Sequence, residues 1–470
     1  MNNFIKKLAG FSVGPVIGAF ISFITIPLTT YFISPTEFGK ASMFMVVQSF
    51  LVTFIYLGMD QSYAKEYNSS TDKNELFQNA LLIPLSTAIL LMIGVSYFSR
   101  SFSTLLFDSE DYTLISVLFG IMLVFSVIER FVLLSVRMEE KSFEYSFYSI
   151  LIKLLILIFT MLFILWGDKK FTTVVYGTIF GQIAGDLFLI LKHFSLLKIK
   201  KRLFNKKLVN RMLYFGIPMI VAASINNLLN TSGRFFLRGY STYSELGIYN
   251  VALKISAIIT IVQTAFTSFW VPTAYRWHEN KKDMKHFNAI SEILLLIMTI
   301  MFFSILLVKK YIVLIVSSKY VDAQYVVGML SMIPILYTLS ETTTLGIVFS
   351  GKSYYNVWTS VISIIPNLIL CYLLVPTLGT RGAAIGAAVS YVFFCILRTG
   401  FSNKSGFVIS FKKQFINIIV FFLAAVVNLF DSSYTLSLTI ILFIVSIGTQ
   451  MQTFTTIFEI KNNPNTWDFN

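Results

Sequence analysis

The stretch FSVGPVIGAFISFITIPLTTYFI, residues 11–33, is 23 residues long and carries no charged side chain. A helix rises ~1.5 Å per residue, so about 20 such residues cross a hydrocarbon core of ~30 Å. Lys6 and Lys7 give it a positive start. The run is nevertheless too long for the apolar part of a cleaved signal, and no small-x-small cleavage site follows. It reads as a first membrane span.

Runs of this kind recur near 41–64, 77–98, 112–135, 145–166, 172–191, 212–233, 246–271, 288–308, 323–349, 357–375, 382–398, 414–430 and 435–454. Lipid cannot satisfy an open backbone, so each is expected to be helical. The last two are short and separated only by Asp431-Ser-Ser. The expectation is an all-α integral membrane protein of about 14 transmembrane helices.

Composition agrees. Of 470 residues, 56% are hydrophobic and 13% charged, where a soluble domain carries about 25% charged residues. A soluble enzyme, a disordered chain and a disulfide scaffold are excluded. Cys371 and Cys395 lie in apolar runs and are expected as buried thiols. His193, His278 and His286 sit in basic segments without metal-ligand spacing and are expected to be solvated, so no metal is called for. Most of the 37 basic residues fall in loops on the side of the N-terminus. That bias puts both termini in the cytoplasm. The densest basic segment, Lys192 to Arg211, is expected to rest on anionic headgroups rather than on nucleic acid.

The chain also repeats itself. Ser34-Pro-Thr-Glu37-Phe-Gly39 aligns with Thr242-Tyr-Ser-Glu245-Leu-Gly247, Lys141-Ser142-Phe143 with Lys352-Ser353-Tyr354, and Gly177-x-x-x-Gly181 with Gly382-x-x-x-Gly386. The offsets are 208, 211 and 205 residues. The unit is six helices, an even number, so both copies enter from one side as parallel repeats. Two pseudo-symmetric six-helix lobes are expected, 1–203 and 204–400, with a binding cleft between them. Residues 401–470 would add helices 13 and 14 and a cytoplasmic tail. The paired glycines are expected to allow close helix approach.

Gly346-Ile-Val-Phe-Ser-Gly351-Lys352-Ser353 fits the P-loop pattern letter for letter. That chemistry needs a strand, a phosphate-cradling loop and a helix in a soluble domain. Here the first glycine ends a membrane span, so no ATP binding is expected.

Several motifs together resemble a known family. Ser34-Pro-Thr-Glu-Phe-Gly39, Gly58-Met-Asp60-Gln61, Leu246-Gly-Ile-Tyr249 with Lys254, and Pro376-x-x-Gly379-x-x-Gly382-Ala-Ala resemble the bacterial polysaccharide flippases of the multidrug/oligosaccharidyl-lipid/polysaccharide exporter superfamily. The resemblance covers about the first 400 residues. It implies transport of an undecaprenyl-pyrophosphate-linked oligosaccharide by alternating access across the bacterial cytoplasmic (inner) membrane, for O-antigen, capsule or exopolysaccharide synthesis. It also implies no enzymatic step. Membrane lipids and the polymerase and ligase of the same pathway would be further partners. Many relatives carry Asp-Arg where this chain has Gly233-Arg234.

A charge at mid-span costs roughly 2.5–3.5 kcal/mol on insertion scales. Lys254, Arg234, Arg130 and Lys153 lie within spans or at their edges and are the candidate substrate-binding cations of the lumen. The resemblance marks Lys254 as a typical position. Arg234 could instead snorkel from the end of its helix, and Arg130 or Lys153 could pair with Asp186. A pyrophosphate cannot cross hydrocarbon, and such cations would replace its hydration. The gating and coupling candidates are Glu341, Asp60 and Asp186, with Glu129 and Glu292 also in spans. The repeat places Arg130 opposite Glu341, an arrangement that would make an inner gate. Coupling to a proton or sodium gradient is expected, without any bound cofactor. A multidrug or cation antiporter of the same superfamily is the first alternative. A membrane-embedded polymerase or glycosyltransferase is the second.

Overall fold

The computed structural model describes residues 2–198, 204–352, 354–430, 432–462 and 467. Ser353, Asp431, the 203/204 lobe boundary and the middle of the basic segment therefore lie outside the described residues. Among the described residues all regular structure is helical. The chain forms two compact units, Met1–Thr231 and Ser232–Asn470.

The first unit holds α1 (Asn2–Phe32), α2 (Pro35–Ile55), α3 (Met59–Glu66), α4 (Lys73–Tyr97), α5 (Ser99–Phe107), α6 (Thr113–Met138), α7 (Ser142–Trp166), α8 (Phe171–Lys192) and α9 (Phe194–Leu197). Helix α10 (Lys206–Tyr240) carries the chain from one unit to the next. The second holds α11 (Tyr243–Glu279), α12 (Met284–Val316), α13 (Ala323–Thr343), α14 (Leu345–Phe349), α15 (Tyr354–Leu378), α16 (Thr380–Lys404), α17 (Lys412–Val427), α18 (Thr435–Gly448) and α19 (Met451–Asn462).

Eleven of the fourteen apolar runs each correspond to a single helix, while 41–64, 323–349 and 435–454 are each divided between two, so the count is lower than the fourteen spans expected. Among the described residues, eleven helices are long and apolar enough to cross a membrane alone, and α18 with α19, bent by 49°, makes a twelfth. The chain is a multi-pass membrane protein. The division between the units falls within α10 rather than before it.

The repeat has a physical meaning that the letters alone do not give. Ser34 and Thr242 each cap their own helix, accepting from the amides of Glu37 (3.4 Å) and Glu245 (3.3 Å). In a closed capping box the glutamate would turn back to its own cap. Here it reaches another helix instead. The Glu37 carboxylate accepts from the amide of Phe171, the first residue of α8, at 2.7 Å. Glu245 accepts from the amide of Thr380, the first residue of α16, also at 2.7 Å. The Thr380 hydroxyl donates to Glu245 as well. Each carboxylate also lies at the positive end of a helix dipole. Gly379 has φ +52°, and a Cβ there would fall 2.7 Å from the Glu245 carboxylate.

These caps correct the glycine register. Phe171 corresponds to Thr380, an offset of 209, so Gly177 corresponds to Gly386 and not to Gly382. Packing agrees. A Cβ on Gly177 would strike Thr160, and one on Gly386 would strike Cys371, and these two residues are themselves 211 apart. The sequence alignment was one helical turn out, because glycines four apart fit their own pattern when shifted by one turn.

Two smaller expectations also change. His286 is buried, not solvated, edge-on to Trp277 and Trp467. His278 is exposed, as expected, and stacks on Phe349 at 3.9 Å. Helix α10 continues to Tyr240, so Arg234 does not end its helix. Cys371 and Cys395 are buried free thiols, as expected.

The shared caps are directly testable. Glu37→Ala and Glu245→Ala should each destabilise the protein by about 1–2 kcal/mol, the usual worth of a lost helix cap. Thermal unfolding in detergent should show both losses. An unchanged transition for both would mean that the caps hold nothing together.

Candidate functional site

The first unit gathers charge around a break in a helix. Helix α2 stops at Ile55, Leu57 and Gly58 take positive φ (47° and 67°), and α3 starts at Met59. Only glycine fits at Gly58, since a Cβ would meet the carbonyl of Gly216. Ser62 donates to the carbonyl of Met212 at 2.7 Å, fixing α3 on α10. The break turns Asp60 inward. Its carboxylate binds Arg130 of α6 at 2.9 Å. The Arg130 guanidinium also lies 5.7 Å from the centre of the Tyr56 ring. The Gly58-Met-Asp60-Gln61 motif is thus a hinge that delivers a carboxylate to α6.

Asp186 is not the partner of Arg130, contrary to the pairing considered from sequence. It sits on α8, fully buried, and its Oδ1 accepts from Gln182 at 2.7 Å. Lys153 on α7 is exposed and lies in the electrostatic neighbourhood of Glu129. Among the described residues, no carboxylate lies within ion-pair distance of Lys153.

In the second unit Glu341, 6% exposed, binds Arg398 of α16 at 2.7 Å. Arg398 also donates to Ser340 and lies over Tyr337 and Phe394. The Trp270 indole donates to the Glu341 backbone carbonyl at 3.2 Å. Arg398 went unnoticed in the sequence because it closes an apolar run, where basic residues are common. Its spacing of four from Phe394 was the available signal. Arg130 and Glu341, placed opposite each other by the repeat, are therefore each engaged inside their own unit. Glu292 is likewise matched, to Lys413 at 2.7 Å.

Arg234 is half-buried on α10. Among the described residues no carboxylate pairs with it, and its Nε is buried without a hydrogen-bond partner. Its neighbour Gly233 leaves room for the buried Tyr249, whose hydroxyl would be 3.0 Å from an added Cβ. That contact accounts for Tyr249 in the Leu246-Gly-Ile-Tyr249 motif. Lys254 is exposed on the side of α11 opposite the buried Val251, Ala252 and Ile255. It lies eleven residues past Tyr243, roughly 16 Å along the helix.

The P-loop-like stretch is occupied by packing. The Gly346 amide donates to Ser402 at 2.8 Å, and a Cβ there would strike the Ser402 carbonyl. A separate cavity of about 710 Å³ at the start of α16 is lined by Tyr240, Asp322, Tyr325, Thr380 and Arg381 among others. Among the described residues no group of three or more metal-ligating side chains occurs.

Removing Arg130, or either member of the Glu341/Arg398 pair, should leave a buried charge behind. Double-mutant unfolding cycles on Asp60/Arg130 and on Glu341/Arg398 should each show coupling of about 1–3 kcal/mol. Additive losses in both cycles would refute the pairings.

Comparison with known proteins bears on the fold and the family. A search of solved structures matches the chain to a lipid II flippase, MurJ, in an inward closed conformation. The TM-score is 0.68 over 97% of this chain and 98% of that one, at 13% identity. It also matches an outward-facing multidrug resistance MATE family transporter of the MOP superfamily, with a TM-score of 0.58 over 85% and 95% and 15% identity. These likenesses establish a shared transporter fold. Among curated proteins, the probable low-salt glycan biosynthesis flippase Agl15 of Haloferax volcanii is 26% identical over 180 residues. That match spans 37% of this chain and 38% of the relative's length. The model of the family described as "Polysaccharide biosynthesis protein" matches residues 4–278, more than half of the chain. The chain therefore belongs to the polysaccharide biosynthesis protein family.

Proposed function

We propose that the protein is a flippase that carries undecaprenyl-pyrophosphate-linked oligosaccharide repeat units from the cytoplasmic to the outer leaflet by alternating access. The product would serve O-antigen, capsule or exopolysaccharide synthesis. The observation that carries this reading is Arg234, half-buried in a membrane-length helix of a polysaccharide-family protein and, among the described residues, paired with no carboxylate. An unpaired cation in such a place is costly unless an anion visits it. A pyrophosphate is such an anion. A guanidinium can bind its oxygens bidentately, while Lys254 and Lys153 offer point charges. The lipid tail can stay in the bilayer while the sugars pass beside the protein. A multidrug antiporter, the reading that the MATE likeness favours, would need carboxylates free for a cationic drug. Asp60, Glu341 and Glu292 are instead held by Arg130, Arg398 and Lys413.

Lys254 is the position to test, because it is exposed and its loss spares the core. In cells lacking the chromosomal copy, Lys254→Ala should abolish surface polysaccharide at normal protein level, and Lys254→Arg should keep part of it. Lys352→Ala should be silent. Full export from Lys254→Ala would sink the cation role.

The same reading places the protein in the cytoplasmic membrane with both termini inside. Reporter fusions after Lys207 and His286 should then signal cytoplasm, and fusions after Asp168 and Tyr320 the far side. Inversion at two of these sites would overturn the orientation.

A further inference from the structure

Of the five acids expected within spans, three have found a cation: Asp60 on Arg130, Glu341 on Arg398 and Glu292 on Lys413. Glu129 is half-buried, with Arg130 and Lys153 as its electrostatic neighbours. Asp186 differs from all of them. It is 0% exposed, and among the described residues no cation lies within ion-pair distance of it. Its Oδ1 is bonded by Gln182, but its Oδ2 is buried with no hydrogen-bond partner.

Helix α8 packs against α7, α6 and α2. From α6, Ser126 approaches the same carboxyl, and Glu129 is the charged group that faces it. The Ser126 hydroxyl is also buried without a partner. From α7, Lys153 follows Ile152, on which Gly185 packs. From α2 the charged residues, Glu37 and Lys40, belong to the opposite end of α8, where Glu37 caps Phe171 and Lys40 lies over the Phe171 ring, while Tyr56 at the near end of α2 lies in the electrostatic neighbourhood of Asp186. Asp186 therefore faces a like charge and an idle hydroxyl inside an apolar helix bundle.

An ionised, unpaired carboxylate there would be both desolvated and repelled by Glu129. Charge counting asks for one proton in this cluster, and the unpartnered Oδ2 is what points to Asp186 as its place. Arg130 and Lys153 supply two positive charges, against three carboxyls from Asp60, Glu129 and Asp186. One proton closes the balance. Placed on Oδ2 of Asp186 and donated to Ser126 Oγ, it would also satisfy both idle atoms.

We propose that Asp186 is the proton-carrying group of this transporter, taking one proton from water on one side of the membrane and releasing it on the other during the transport cycle. The coupling role rests on the transporter reading of the fold. The proton site itself does not, so the two can fail separately.

Infrared titration of the purified protein in lipid nanodiscs reads the site without any substrate. At neutral pH the wild type should show a protonated-carboxyl band that shifts in deuterated water. The band should vanish in Asp186→Asn, persist in Asp60→Asn, and move in Asp186→Glu. In proteoliposomes holding a pH-sensitive dye, an imposed membrane potential should drive proton entry through wild type and Asp186→Glu but not through Asp186→Asn. The response should survive replacement of sodium by choline. Should Asp186→Asn not fold, the Asp186→Glu band shift still decides. A band unmoved by either Asp186 change, an unaltered dye response in Asp186→Asn, or a response that requires sodium would overturn the proposal.

Discussion

Hydrocarbon offers no hydrogen bonds, and the internal order of both units follows from that lack. Backbone polarity is resolved by making every long apolar segment a helix. What remains exposed are helix ends and the few side chains that carry charge. The protein treats its helix starts in the same way twice. Glu37 gives its carboxylate to the amide of Phe171, and Glu245 gives its own to Thr380. One short motif thereby caps its own helix through Ser34 or Thr242 and a distant helix through the glutamate. Helices that are far apart in sequence are tied at their ends without any covalent link.

Charged side chains obey the same constraint. Asp60, Glu341 and Glu292 are each neutralised by a basic residue within their own unit. Such pairs offset desolvation without guaranteeing stability, so their presence speaks for a charge retained for use. Groups left outside the pairs carry the functional argument. Arg234, proposed to meet an anion, and Asp186, proposed to carry a proton, lie in different units.

Much of this was legible in the letters. Span length and charge asymmetry define the helices, since the bilayer sets a length scale that soluble cores lack. The Ser34 and Thr242 motifs announced the duplication. What they announced was read as similarity, however, and not as a shared hydrogen bond, because the acceptor helix lies 134 residues away. The glycine register was misplaced by one turn for a related reason: small residues four apart match themselves after a turn. Arg130 was given the wrong acid because Asp60 sits beyond a break at Leu57 and Gly58. Hydropathy runs straight through that break, and only positive φ values reveal it. Arg398 and the buried state of His286 depend on packing between distant helices, which no local pattern records.

What crosses the membrane is tested most directly with a defined substrate. Purified protein can be reconstituted into liposomes that carry a fluorescent polyprenyl-diphosphate-linked oligosaccharide in both leaflets. A membrane-impermeant reductant then quenches only the outer label. With wild-type protein, the quench should run past the outer-leaflet plateau seen in protein-free liposomes. If quenching stops at that plateau while the same vesicles accumulate a cationic dye, the protein is a drug antiporter and the flippase reading is wrong.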